Sequence, residues 1–187
     1  MKKINISSLH HDLSSITSST VLLYPTDTIY GLWGLVSDEV VEKIKRIKQR
    51  DEGKYFSIIA PSFWWVRDNY NVPDDFEKQW KTYKSQYPWR WLTILLPLQE
   101  TPSDTIDFSL IWRWVRFIDH PFQEIVTKLW KPFITTSANL SWQPNITHPD
   151  QLLDAQKQLI DFCIDEGTLD RPASVIIDRT TQELIRG

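Results

Sequence analysis

An α/β or α+β fold with mixed strand directions is what the sequence predicts, and three observations carry it. Short apolar runs of strand length interleave with segments of helical periodicity. The runs stop at proline or at polar clusters, and there is no regular repeat. No low-complexity tract or linker rich in Gly or Ser divides the chain, so one domain over residues 1–187 is the simplest account.

The elements follow in order. Val21 to Tyr24 is an apolar run stopped by Pro25, read as a buried strand leading into a polar loop. From Asp38 to Lys48, Val40, Val41, Ile44 and Ile47 recur at helical spacing, with Asp38 placed to cap and basic residues crowding the far end. Phe56 to Ala60 reads as a strand closed by Pro61, and Trp64 to Asn69 and Asp74 to Tyr83 as helices. Leu92 to Leu96, Ile111 to Phe117 and Phe133 to Thr136 are buried-type strands. Pro121 to Leu129 is a helix with proline at its start, and Asp150 to Leu159 another. Ser174 to Asp178 and Glu183 to Arg186 are short terminal strands.

Composition narrows the function classes. A net charge of -3 gives no overall basic field, so any anion site must be a local concentration of cations. Cys163 is the single cysteine, which excludes an internal disulfide framework or a cysteine-based zinc site and fits a reduced, cytoplasmic setting. No segment has the length of a signal peptide core or a membrane span. Phosphate loops of the G-x-x-x-x-G-K-[ST] or G-x-G-x-x-G type are absent.

What remains is a set of dispersed polar stretches. Pro25-Thr26-Asp27-Thr28-Ile29-Tyr30-Gly31 follows a strand, where ligand loops are commonly placed, although a self-capped polar turn has the same composition. Lys48 and Arg50 end a helix, which by itself is a solvated basic terminus complementing the macrodipole. Thr135-Thr136-Ser137-Ala138-Asn139-Leu140-Ser141 follows another strand and offers hydroxyls and an amide for phosphate oxygens or the water shell of a magnesium ion; alone, it reads as an Asx or Ser turn. Arg116, with Arg113 nearby, suits either a ligand carboxylate or a structural ion pair. His120 has no partner at metal-ligand spacing. Cations beside hydroxyl loops suit a polyphosphate better than any one piece does.

These pieces together resemble the YrdC-like family, the threonylcarbamoyl-AMP synthases also called TsaC, from Val21 to Gly187. Pro25 to Trp33 is similar to the family's Pro-Thr-Asp/Glu-Thr-x-Tyr-Gly-Leu-Gly segment, Lys48-Gln49-Arg50 to its Lys-x-Arg, and Ser137-Ala138-Asn139 to its Ser-x-Asn. Pro88 to Thr93 resembles a Pro-Gly-Pro-x-Thr strand entry with one extra residue, and Arg113 to Pro121 a Val-Gly-Val-Arg-x-Pro-Asp-His-Pro segment. Ala173 to Asp178 and Ile185-Arg186-Gly187 resemble the closing Pro-Ser-Thr-x-x-Asp and Leu-Arg-x-Gly. Asp51, Tyr55-Phe56, Ile118 and Val175 depart from the pattern and put the local loop geometry in question.

The resemblance implies a single domain in which a twisted mixed sheet with flanking helices lines a concave basic cavity. It implies condensation of L-threonine, bicarbonate or CO2, and ATP into threonylcarbamoyl-AMP with release of pyrophosphate, for the threonylcarbamoyladenosine modification of tRNA. Lys48, Arg50, Thr93, Ser137, Asn139 and Arg186 would contact ATP. Thr26 or Thr28, Arg116 and Ser174 would contact threonine. Mg2+ would bridge phosphates, no residue would serve as a covalent catalytic nucleophile, and downstream tRNA threonylcarbamoyl-transfer proteins would consume the product. The alternative from another class is a non-catalytic module that binds double-stranded RNA or tRNA. A third is a carbamoyl-transfer relative acting on carbamoyl phosphate, as in the larger hydrogenase-maturation proteins, against which the lack of accessory cysteines argues.

One departure follows a rule. The chain holds 10 Trp and 5 Gly, whereas usual glycine content near 7% would give roughly 13 in a chain of this length. Trp33, Trp89, Trp114 and Trp142 fall where the family motifs have glycine, and Trp130 stands before Lys131-Pro132 where a turn glycine is natural. The expectation is that UGA, meaning glycine in the source lineage, has been read as tryptophan. The alternative is a diverged, tryptophan-rich and inactive homologue.

Overall fold

The computed structural model describes residues 1–26, 29–50, 56–87, 92–103, 111–169, 174–179 and 184–186, with the side chains of 111–113 and 186 excepted. Ten strands among these residues form one sheet: β1 (Lys2–Ile4), β2 (Leu22–Pro25), β3 (Tyr30–Leu35), β4 (Phe56–Ile59), β5 (Leu92–Leu95), β6 (Ile111–Phe117), β7 (Phe133–Ser137), β8 (Phe162–Ile164), β9 (Val175–Asp178) and β10 (Leu184–Arg186). Their order is β1-β8-β2-β3-β7-β4-β6-β5-β9-β10. Parallel pairs (β1 with β8, β2 with β8, β4 with β6, β5 with β9) mix with antiparallel ones, as expected from the irregular interleaving of elements.

The helices are α1 (Ile6–His11), α2 (Asp38–Lys48), α3 (Phe63–Asn69), α4 (Phe76–Gln86), α5 (Phe122–Leu129) and α6 (Asp154–Leu159). On one sheet face the apolar stripes of α2, α3 and α4 (Val40, Ile44, Ile47, Val66, Phe76, Trp80) pack against Leu23, Leu32, Ile58, Ile94, Val115 and Ile177. On the other face, Leu9 of α1 and Phe122, Ile125 and Val126 of α5 cover Leu22, Tyr24, Trp33, Ile59 and Phe133. This second cluster lies toward the β2 end of the strand order. The same face farther along carries polar residues.

Several expectations need correction. Ser37, not Asp38, caps α2: its side chain accepts from the Val40 amide, and Asp38 is the first helical residue. The expected helix from Asp150 to Leu159 is broken. A 3-10 turn over Pro149–Gln151 is followed by extended Leu152 and Leu153, and α6 begins only at Asp154. The break lets Leu152 bury itself at 3% exposure while Gln156 donates to the Ile47 carbonyl, neither of which one continuous helix would favour. Tyr30 and Gly31, read as loop, open β3, whose six residues are all buried.

Gly34 sits in β3 where the backbone is approached closely. An added methyl would lie 2.7 Å from both the Thr20 carbonyl oxygen and Val40 Cγ1. Gly34→Ala is therefore expected to lower stability by about 1–3 kcal/mol, read as a fall in the urea midpoint. No helix among the described residues is long and apolar enough to cross a membrane.

Candidate functional site

Strand register decides which polar side chains share a face, because residues directly opposite one another project from the same side. Gly31 lies opposite Ser137, and Trp33 opposite Thr135, which in turn lies opposite Ser57. Ile59 lies opposite Arg116, Arg116 opposite Thr93, and Thr93 opposite Ile176. Ser174 stands two residues before Ile176 and continues that alternation. Ser137, Thr135, Ser57, Arg116, Thr93 and Ser174 thus belong to one side of the sheet, the side that α1 and α5 cover toward β2. From β7 to β5 is three strand spacings, roughly 14 Å at about 4.8 Å each, a span suited to a nucleotide beside a small acid.

Four of these residues are buried polar groups: Ser57, Thr93, Thr135 and Ser174. The Thr93 hydroxyl is enclosed and makes no hydrogen bond among the described residues, a costly arrangement for a structural threonine and a natural one for a ligand contact. Thr135 belongs to the hydroxyl-rich stretch named from sequence, whereas Ser57 does not stand out there: its signal is a lone hydroxyl inside the otherwise apolar run Phe56 to Ala60.

Lys48 closes the β7 end of this face. As the last residue of α2, it is only 4% exposed. Its ammonium donates to the Ser137 carbonyl and to the Asn139 carbonyl at 2.8 Å, and lies 3.4 Å from both Ser137 Oγ and Asn139 Oδ1. Burial, with a smaller contribution from the Arg50 guanidinium, brings the Lys48 ammonium down to about 7. Gln49 then adopts a left-handed conformation (φ 47°) that turns the chain sharply off the helix. The Arg50 guanidinium carbon consequently sits 4.7 Å from the centre of the Phe56 ring, and burial lowers its pKa too. Asn139 is held in place by its own amide, which donates to the Leu140 carbonyl at 2.9 Å and the Gln143 carbonyl at 2.6 Å. The Ser141 amide donates to the Lys48 carbonyl at 2.8 Å. Lys48, Ser137 and Asn139 are in direct contact, and Arg50 is beside them.

The remaining sequence candidates are placed less tightly. The Thr26 hydroxyl donates to the Ile29 carbonyl at 2.6 Å and accepts from the Ile29 amide at 3.0 Å, as in the self-capped turn that its composition allows. Thr28 lies outside the described residues, as do Trp89, Asp51 and Tyr55. Arg186 occupies the β10 position opposite Ile176, in register with Thr93. His120 contacts the Tyr24 hydroxyl through Nδ1, and its Nε2 is 3.7 Å from Glu166; burial lowers its pKa.

A phosphate-sized anion and a carboxylate are what such a face suits: an ammonium and a guanidinium at one end, hydroxyls across the middle, and Arg116 beyond. A family model named Sua5_yciO_yrdC and described as "Telomere recombination" matches residues 14–187. The chain belongs to the Sua5/YciO/YrdC family. Among curated members it is similar to the protein named threonylcarbamoyl-AMP synthase from Vibrio vulnificus, 27% identical over 189 residues with 97% of this chain and 98% of that one covered. The protein of the same name from Haemophilus influenzae is 26% identical over 177 residues, covering 92% and 94%. Among solved Sua5/YciO/YrdC structures, Sua5 of P. abyssi in complex with L-threonine aligns with a TM-score of 0.72 at 23% identity, covering 99% of this chain. This chain spans 56% of that Sua5. YciO of E. coli aligns with a TM-score of 0.74 at 18% identity, covering 99% of this chain and 92% of that one. These structures share the fold: a mixed parallel and antiparallel sheet with flanking helices.

Proposed function

We propose that this chain is an L-threonylcarbamoyladenylate synthase, joining L-threonine, bicarbonate or CO2, and ATP with release of pyrophosphate. The observation that carries the reading is the buried Lys48 ammonium seated on Ser137 and Asn139, at one end of a sheet face that continues through Thr93 and Arg116. The names of the curated relatives support it.

The chemistry asks little of the protein beyond placement. A carbamate formed on the threonine amine attacks the α-phosphorus through an oxygen, and the bond from that phosphorus to the bridging oxygen of pyrophosphate breaks. Two anions must meet, so fixed cations and donors that offset their repulsion lower the barrier. Lys48 and Arg50 are assigned to the triphosphate with Ser137, Asn139, Thr93 and Arg186. Arg116 and Ser174 are assigned to threonine with Thr26 or Thr28. Beyond the two carbonyls it donates to, the oxygens near Lys48 are a neutral hydroxyl and a neutral amide, a set suited to a Mg2+ ion carried in on the phosphates, where it would spread their charge. Downstream transfer of the threonylcarbamoyl group to tRNA would fall to partner proteins.

The test is an assay for threonine-dependent pyrophosphate in the presence of ATP, bicarbonate and Mg2+. Two preparations are compared: the chain as sequenced and a form with W33G, W89G, W114G and W142G. Pyrophosphate dependent on both threonine and bicarbonate is the expected result from the glycine form. A folded glycine form that releases none refutes the synthase reading, and RNA binding by such an inactive form would favour the non-catalytic alternative.

A further inference from the structure

We infer that the protein made in its own cells carries glycine at positions 33, 114, 130 and 142, and that three of these, 33, 114 and 142, decide whether the substrate face of the sheet is open. Backbone geometry gives the first line of evidence. Among the described residues, the non-glycine positions with left-handed φ are Gln49, Trp130 (φ 53°) and Trp142 (φ 69°). A large aromatic side chain rarely occupies that region, because its Cβ crowds the following carbonyl, whereas glycine enters it freely. Trp130 is the residue ending α5, with its amide donating to the Thr127 carbonyl, and helix ends of this type commonly use glycine there. Neither indole is compensated by burial, since Trp130 is 52% and Trp142 85% exposed. Trp142 also follows Ser141, whose amide is bonded to Lys48, so the second strained turn belongs to the phosphate end of the site.

Packing on the sheet gives the second line, independent of the first. Trp33 lies opposite Thr135 and is fully buried. Its Nε1 sits 2.6 Å from where a Cβ on Gly31 would be, and Gly31 is opposite Ser137. The indole therefore lies over Gly31, on the side of the sheet that bears Ser137 and Thr135, with its ring packed against Tyr24 at 4.5 Å and Phe122 at 4.7 Å. Trp114 precedes Arg116 by two residues and shares its side of β6. The Trp114 indole nitrogen is buried with no hydrogen-bond partner among the described residues, which is costly for an indole N–H. Two strained turns, one at the end of α5 and one beside Lys48, and two indoles on the side of the sheet that bears the site have a common remedy, which is removal of the side chain. The surplus of Trp and deficit of Gly in the whole chain point the same way.

A codon read as tryptophan that its own ribosomes read as glycine accounts for all four positions. The proposal stands apart from the synthase reading, since turn geometry is indifferent to the reaction. Mass spectrometry of peptides spanning these positions, from protein isolated from its own cells, is the deciding measurement, together with the codons. Peptides lighter by the tryptophan-to-glycine difference, at UGA codons, are expected. UGG codons, or peptides of tryptophan mass, overturn the proposal. Recombinant W130G and W142G give a further readout: each is expected to raise the thermal midpoint, and a fall in either overturns the assignment at that position. The form with all four replaced is expected to bind ATP at least tenfold more tightly than the chain as sequenced; equal affinity overturns the claim that positions 33, 114 and 142 open the face.

Discussion

Lys48→Met is expected to cut threonine-dependent pyrophosphate release at least about a hundredfold in the glycine form, while the chain stays folded. Removing one member of a buried, hydrogen-bonded charge contact costs about 2–5 kcal/mol, and this ammonium, at 4% exposure, is the most deeply buried cation of the candidate site among the described residues. The stability effect runs the other way. Burial holds the folded pKa near 7, well below the ordinary 10.5, so between those values the unfolded chain binds the additional proton. Stability should then rise with pH across that window, by up to about 1.4 kcal/mol per unit, and the penalty for burying the charge is fully present below 7. Lys48→Met should flatten this slope in urea titrations from pH 6 to 10 and leave stability at pH 6 equal to or above the parent. A variant that loses both activity and stability at pH 6 would mean that Lys48 holds the fold rather than a ligand.

Arg116→Met is expected to raise the KM for threonine about a hundredfold with little change in the KM for ATP. A guanidinium pairing with a carboxylate through two parallel hydrogen bonds gives strong, oriented binding that methionine cannot replace. Arg116 is placed for it by register, opposite Thr93 on β5 and Ile59 on β4. Its backbone carbonyl is already used by the Ala60 amide at 3.0 Å, so the strand should survive the change. Comparable losses for both substrates would move Arg116 out of the threonine end of the site.

Much of this arrangement was legible from sequence because local signals agreed with the tertiary result. The helical spacing of Val40, Val41, Ile44 and Ile47 gave α2, and its basic end gave Lys48 and Arg50. Apolar runs before Pro25 and before Ser137-Ala138-Asn139 gave β2 and β7. The failures have physical reasons too. β3 is buried on both faces and lacks alternation, and its two glycines weaken the strand signal that its Tyr and Trp would give. β1 and β8 are three residues each and exist by long-range pairing, β1 with β8 and β8 also with β2, which leaves no local trace. The helix expected from Asp150 was undone at Leu152, whose burial required extended backbone. Ser57 is the residue the sequence hides, because one hydroxyl in an apolar run looks like tolerance until register sets it beside Thr135.

Tyr30 joins its own strand to three stretches of backbone that are remote in sequence. Its amide donates to the Ile146 carbonyl and its carbonyl accepts from the Ala138 amide. Its hydroxyl donates to the Gly167 carbonyl at 2.8 Å and accepts from the Glu166 amide at 2.9 Å. A single residue therefore works as a keystone through both its backbone and its phenol: the segments around 138, 146 and 166 cannot peel away one at a time, and the loop bearing Asn139 inherits its rigidity from a residue that need never touch a substrate.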